Sequence, residues 1–262
     1  MRNIWTIAKK EYDHYFISPI AYVVAFAILL AIGVVFGINF FYFTQNAYQN
    51  FGAAPDISPV TGVFVFLLVL STPALTMRLI SDEARMGTLE LLLTAPLKDS
   101  ELVIGKWLGG MLYILTLIAV TLIYPLMLNG IKIGSFTLLN GFVSPGIDMN
   151  VMLTSYLGMI LIAGALLALG TGVSAMFTNQ IAAFFASFAL FFFLWWLVGF
   201  PANVLTGSSA EFFRYLDMQS HFYGSNALSG GVINLSDIVY YLSLIALGLF
   251  TGTVAVEMRR WR

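Results

Sequence analysis

Side chains able to do chemistry are few in this sequence. There are two histidines, His14 and His221, and no cysteine. Disulfides, thiolate nucleophiles and cysteine metal sites are therefore excluded. Neither an HExxH zinc helix nor a GxSxG nucleophile elbow occurs, which removes support for the zinc-protease and serine-protease chemistries that those spacings serve. Gly105-Lys106 has the look of a phosphate loop, but Ser100 stands where its first glycine belongs and Trp107 replaces the Ser or Thr. What remains is one concentrated run of charge. Asp82, Glu83, Arg85, Glu90, Lys98, Asp99 and Glu101 fall between Ser81 and Gly105.

The elements that hold this run are membrane spans. The 262 residues are 60% hydrophobic and only 10% charged, with a mean hydropathy of +0.90. Soluble domains carry about 25% charged residues. Six stretches have the roughly 20 apolar residues that cross a hydrocarbon core: about 20–43, 61–80, 105–128, 151–177, 181–201 and 236–257. The fold class is an all-α membrane protein in one transmembrane domain, with a charged loop at 81–104 and a second long loop at 202–235. The run from Ile20 is too long for a signal-peptide core. No nucleotide-hydrolysing domain fits in the residues left over. A net charge of −1 argues against a nucleic-acid binder.

Basic residues orient the bundle. Ten of the twelve lie before span one, between spans two and three, or after span six; Lys132 and Arg214 fall opposite. The positive-inside rule then places both termini in the cytoplasm. His14 and His221 lie on opposite sides and cannot share a metal. With Lys106 counted in the loop, the span interiors contain no Asp, Glu, Lys, Arg or His. Such residues mark proton and ion pathways, so any transport energy is expected to enter from outside the membrane, through the charged loop.

Several segments invite a role. Trp5, Ala8, Tyr12, Tyr15 and Phe16 fall near one face of a helix over 2–16, the pattern of an interfacial amphipathic helix; the plainer alternative is a basic leader that fixes topology. Thr88–Thr94 reads as a short helix after Gly87, with Thr88 as N-cap and Pro96 as stop. Its four leucines need burial at the membrane surface or in a partner. Ser208-Ser209 and Ser220 are candidate caps of short helices on the other side, and Asn234 a cap for span six. Span five carries aromatics on every face, which suits lipid contact or an aromatic subunit interface. Gly164, Ala168 and Gly172 permit close helix approach, read as internal packing. Asn39, Ser71, Thr72, Thr116, Thr121 and Ser187 are candidates for a polar seam, each otherwise a helix-internal hydrogen bonder.

The run Ser81-Asp82-Glu83-Ala84-Arg85-Met86-Gly87-Thr88-Leu89-Glu90-Leu91-Leu92-Leu93-Thr94-Ala95-Pro96, followed by Glu101-Leu102-Val103-Ile104-Gly105-Lys106, resembles the first cytoplasmic loop of ABC-2-type exporter permeases. The segments Ala8–Tyr12, Phe16–Tyr22 and Ser220–Trp261 resemble the gliding-motility and copper-enzyme-maturation branch of that family. The resemblance implies a permease of the prokaryotic cytoplasmic membrane that is not itself an enzyme and has no catalytic or metal-binding residues. It implies pairing with a second permease copy or a related one, and two copies of a separate ATPase that carries the ATP and magnesium. This chain then binds no cofactor. An extracytoplasmic accessory protein and membrane lipid complete the expected partners.

By the same resemblance, Glu83, Arg85, Thr88, Glu90, Leu91, Leu92 and Thr94 belong to an ATPase-docking coupling helix. Trp5, Tyr12, Tyr15 and Phe16 belong to an interfacial elbow helix. Phe184, Phe188, Phe191, Phe192 and Trp195 line a subunit interface or route, and the pieces at about 208–228 close the route from outside. The competing readings are a non-transporting anchor for a cytoplasmic partner and, more remotely, an intramembrane enzyme.

Overall fold

The computed structural model describes residues 2–45, 56–94, 97–133, 136–140 and 147–260. Long apolar runs leave the backbone no partner but itself in lipid, so each run closes its own hydrogen bonds as a helix. After α1 (Arg2–Tyr15) comes α2 (Pro19–Gln45). Helix α3 (Ser58–Thr76) leads through a turn at Met77–Ile80 into α4 (Ser81–Met86), and α5 (Thr88–Thr94) follows. Helix α6 (Asp99–Thr121) continues as α7 (Ile123–Asn129), and α8 (Met149–Met176) precedes α9 (Gln180–Phe192). A π-helical turn at Phe193–Leu197 extends α9; α10 (Ser208–Leu216) and α11 (Leu235–Arg260) complete the chain. Strands β1 (Gly130–Ile133) and β2 (Phe136–Asn140) form a small antiparallel ribbon outside the spans.

Six segments are long and apolar enough to cross a membrane: Pro19–Gln45, Ser58–Met86, Asp99–Leu128, Met149–Met176, Gln180–Asn203 and Leu235–Arg259. They match the six expected runs to within a few residues at most ends. The fourth is the axis of the bundle, with 67% of its apolar window buried, against 17% for the first and 22% for the fifth. Glycines let α8 and α11 touch: a Cβ on Gly172 would stand 2.8 Å from the Gly248 carbonyl oxygen, and one on Gly252 would stand 3.4 Å from Gly172 Cα. The small-residue ladder of span four thus packs internally, as its spacing suggested.

An even number of crossings returns α1, α4–α5 and the end of α11 to one face, called here the basic face. On the opposite face, Met218–Gly230 folds back into the bundle. Phe222 is fully buried, Tyr223 donates from its hydroxyl to the Gly62 carbonyl at 2.7 Å, and Tyr241 donates to Met218 O at 2.9 Å. His221 stacks on Tyr240 at 4.1 Å, with Nδ1 2.8 Å from Asp237 Oδ1 and Nε2 3.0 Å from the Tyr215 carbonyl oxygen. The carbonyl can only accept, so Nε2 carries a proton. Asp237 lies buried in span six, contrary to the expectation of spans free of ionisable residues, because His221 and Asn234 supply its partners.

The expected caps are partly rearranged. Ser209 donates to Thr206 O, and Ser220 to the Asp217 and Arg214 carbonyls, so neither hydroxyl caps a helix. Asn234 does begin α11: its carbonyl receives the Asp237 and Ile238 amides. Of the seam candidates, Asn39, Thr72, Thr116 and Thr121 donate within their own helices. Ser71 and Ser187 have buried hydroxyls with no described partner.

Candidate functional site

The basic face is built around a notch in α6. Gly105 and Gly109 are four residues apart and so share a helix face. A Cβ on Gly105 would lie 2.8 Å from Ile7 Cβ, and one on Gly109 would lie 2.5 Å from Glu11 Cβ and 2.9 Å from the Ala8 carbonyl oxygen. No other residue type lets α1 lie this close. Ala8 is fully buried and Tyr15 nearly so; Tyr15 donates to Leu75 O at 3.2 Å and stacks on Tyr113 at 4.9 Å. Burial, with Glu11 adding to it, pushes the Tyr15 phenol well above its ordinary value. Tyr12 bonds Thr116 Oγ1 at 3.2 Å and packs on Phe16. Trp5 does not join this face: it is 60% exposed, and Phe16 is exposed as well. The buried stripe runs through Ile7, Ala8, Glu11 and Tyr15, one edge of the arc expected from the aromatics, because the glycine notch selects that edge.

Beside Gly105, Lys106 enters the notch. It is 2% exposed, and its ammonium donates to Glu11 Oε1 and to Glu83 Oε1, each at 2.8 Å. One side chain from α6 therefore ties the N-terminal helix to the α4–α5 segment. Lys106 belongs to the third span and is no loop residue, which again corrects the expectation of spans without charge. Two carboxylates share the ammonium, and Glu83 Oε2 is buried without a hydrogen-bond partner. Removing one member of a buried pair typically costs about 3–5 kcal/mol, since the survivors stay desolvated. The triad is a joint between three elements.

Helix α4 is held from below as well. The Ser174 hydroxyl of α8 accepts the Ile80 and Ser81 amides at 3.1 and 3.2 Å, and donates to Met77 O at 3.3 Å. Orphan amides at a helix start are thereby satisfied. Asp82 accepts from Gln180 and pairs with Arg85 at 3.3 Å. Gly87 ends α4 with φ of 72°, a left-handed conformation that suits glycine, and the chain turns directly into α5.

The expected docking residues separate into two groups. Arg85, Glu90 and Thr94 are exposed on the outer edge, beside the exposed Met86. Glu83 faces inward, engaged by Lys106. Leu89 is buried at 3% and Leu92 packs half-buried against the core. Two of the four leucines are thus covered by the chain itself, which corrects the expectation that all of them seek a membrane or partner. The side chain of Leu91 lies outside the described residues. Thr88 does not cap α5: it lies inside the helix, and its hydroxyl donates back to Glu83 O at 3.4 Å.

In span five, Phe191 and Trp195 are buried at 1% and 2%. The π-helical turn carries Trp195 against Tyr223, 6.0 Å between rings. These two are core residues, not lining for an interface. Phe184 and Phe188 are half-buried and stacked at 6.1 Å, and Phe192 is exposed. Glu11, Lys106, Gly105 and Gly109 are the residues sequence reasoning missed. The available signal was the GxxxG spacing beside a lysine, which the failed phosphate-loop match concealed.

Six apolar helices, with a glycine-seated N-terminal helix and an ion-paired loop helix on one face, define a multi-pass membrane protein. A model of the family described as ABC-2 family transporter protein matches residues 5–256. The chain belongs to that family and is a membrane-embedded permease component of an ABC transporter. Comparison with curated proteins gave no match.

Proposed function

We propose that this chain converts ATP-driven movement of a separate cytoplasmic ATPase into export, or into a conformational change across the membrane. The observation that carries the proposal is the Glu83–Lys106–Glu11 joint. The exposed edge Arg85–Met86–Glu90 is one turn from a buried ion pair that reaches both α6 and α1. A partner that pushes on this edge moves α4, and through Glu83 it moves the third span and the elbow helix together. The partner must contact the edge differently with and without ATP, since only differential affinity shifts a conformational equilibrium. In this reading ATP and magnesium bind the partner, the basic face is cytoplasmic, and two permease chains meet with two ATPase chains.

The pairing surface in this proposal lies on the first and fifth spans, which with the sixth are the least buried. Helix α2 exposes Tyr22, Phe26, Leu30 and Val34, and α9 exposes Phe185 and Phe192 beside half-buried Phe184 and Phe188. The test is reversal of charge at Arg85 and Glu90. Both side chains are exposed, so the variants should fold as the parent does, shown by unchanged thermal unfolding, yet lose the ATPase on purification in mild detergent. Retention of the ATPase by a folded Arg85→Glu, Glu90→Arg variant would move the docking site elsewhere.

A further inference from the structure

A cavity of about 460 Å³ opens beneath α1, bounded by the start of α2, the end of α3 and the α4–α5 turn. We propose that it binds the phosphate of an anionic glycerophospholipid, with the acyl chains lying on the adjoining apolar wall. The inference needs only the membrane reading, not the coupling to an ATPase.

Depth comes first. The cavity lies where spans one and two end, at Ile20–Ala21 and Ala74–Leu79, and the ends of apolar spans fall at the level of lipid headgroups; α1, which borders it, runs alongside the first turns of α6. Its apolar lining includes Ile20, Ala21, Ala74, Leu75 and Leu79, and its basic lining includes Lys10, His14 and Arg78. Charge is the second observation. Of the carboxylates that line the cavity, Glu11 and Glu83 share the Lys106 ammonium, with Glu83 Oε2 left without a hydrogen-bond partner, and Asp82 is engaged by Arg85 and Gln180. Arg78 is half-buried, and its described hydrogen-bond partner is the neutral Ser18 hydroxyl. Among the described residues no carboxylate pairs with Arg78, Lys10 or His14. A guanidinium has five donors in a fork that matches phosphate oxygens, so one hydroxyl leaves most of them to a ligand. Basic pockets between spans at the cytoplasmic level are suited to anionic headgroups. Because Met86, Thr88 and Leu92 also line the cavity, a bound headgroup lies beside the loop helix, and lipid composition bears on how that helix sits.

The experiment is native mass spectrometry of the full chain in mild detergent, titrated with phosphatidylglycerol or with phosphatidylcholine of the same acyl chains. The expected result is retention of phosphatidylglycerol over phosphatidylcholine by about fivefold per engaged basic group. Arg78→Gln should lower that preference about fivefold and leave phosphatidylcholine unchanged. Lys10→Gln, at an exposed site that does not bear on folding, should lower it in the same direction and carries the test if Arg78→Gln fails to fold. Millimolar inorganic phosphate should not displace the lipid. Equal retention of the two lipids by the parent chain would overturn the proposal, as would a preference unchanged in both variants. Displacement by inorganic phosphate would also overturn it, in favour of a free-anion site.

Discussion

Replacing Lys106 by Met is the sharpest perturbation the structure offers. The side chain keeps an unbranched apolar stem, but the ammonium disappears from between two carboxylates, each 2.8 Å away. Because Lys106 is 2% exposed, water does not replace it. The loss is that of breaking a buried ion pair, about 3–5 kcal/mol. At roughly 2–4 °C per kcal/mol for chains of about this size, the thermal midpoint should fall by about 6–20 °C. The assay is thermal unfolding of the detergent-purified chain followed by tryptophan fluorescence. Glu11→Gln leaves the Lys106–Glu83 pair and an amide oxygen that still accepts, so its loss should be smaller, about 1–2 kcal/mol. Trypsin cleavage at Lys9 and Lys10 supplies a second readout, because α1 loses its ion pair to α6 in the Met variant and should be cut faster. A Lys106→Met midpoint within about 2 °C of the parent, with α1 equally protected, would refute the joint.

Other consequences follow from the same contacts. Gly109→Ala should cost about 1–3 kcal/mol as an overpacking change, since its Cβ meets the backbone of α1. Gly37→Ala, with nothing within 4 Å, should not destabilise, as paired thermal melts would show. On the opposite face, Asp237→Ala leaves His221 buried without its carboxylate and should cost about 1–3 kcal/mol; protease protection of the 217–231 segment reads it. Burial pushes the Tyr223 phenol up to about 12 from 10.0. Its contribution to stability is therefore complete below pH 10 and is lost as pH rises from 10 to about 12. Tyr223→Phe should flatten that alkaline limb of the stability profile.

The parts of this architecture that depend on local pattern were legible in the sequence. Apolar runs of span length need no tertiary information, so the six spans, the helix at Thr88–Thr94 and the small-residue face of α8 could all be read directly. The joint could not be read in that way. Lys106 meets Glu11 across 95 residues and Glu83 across 23, and no periodicity links such positions. A lysine beside a loop looks solvated until the glycine notch places α1 over it. Leu89 and Leu92 misled for the same reason: a short apolar helix on a charged loop seems to need an external partner unless the turn at Gly87 folds it back. Phe191 and Trp195 were indistinguishable from Phe184 and Phe188, because all four fall on one helix face by spacing and only the packing of Tyr223 and its neighbours against the later part of the span decides which are covered.

The central claim is that force enters at the exposed edge of α4–α5 and is passed on by the triad. It is tested most directly by purifying the tagged chain from its native host in mild detergent and measuring the amount of ABC ATPase that accompanies it. The account predicts a stoichiometric ATPase, lost with Arg85→Glu, Glu90→Arg in a chain of unchanged thermal midpoint. Recovery of the folded parent chain with no ATPase, from membranes that demonstrably contain one, would contradict the account and favour an anchoring role.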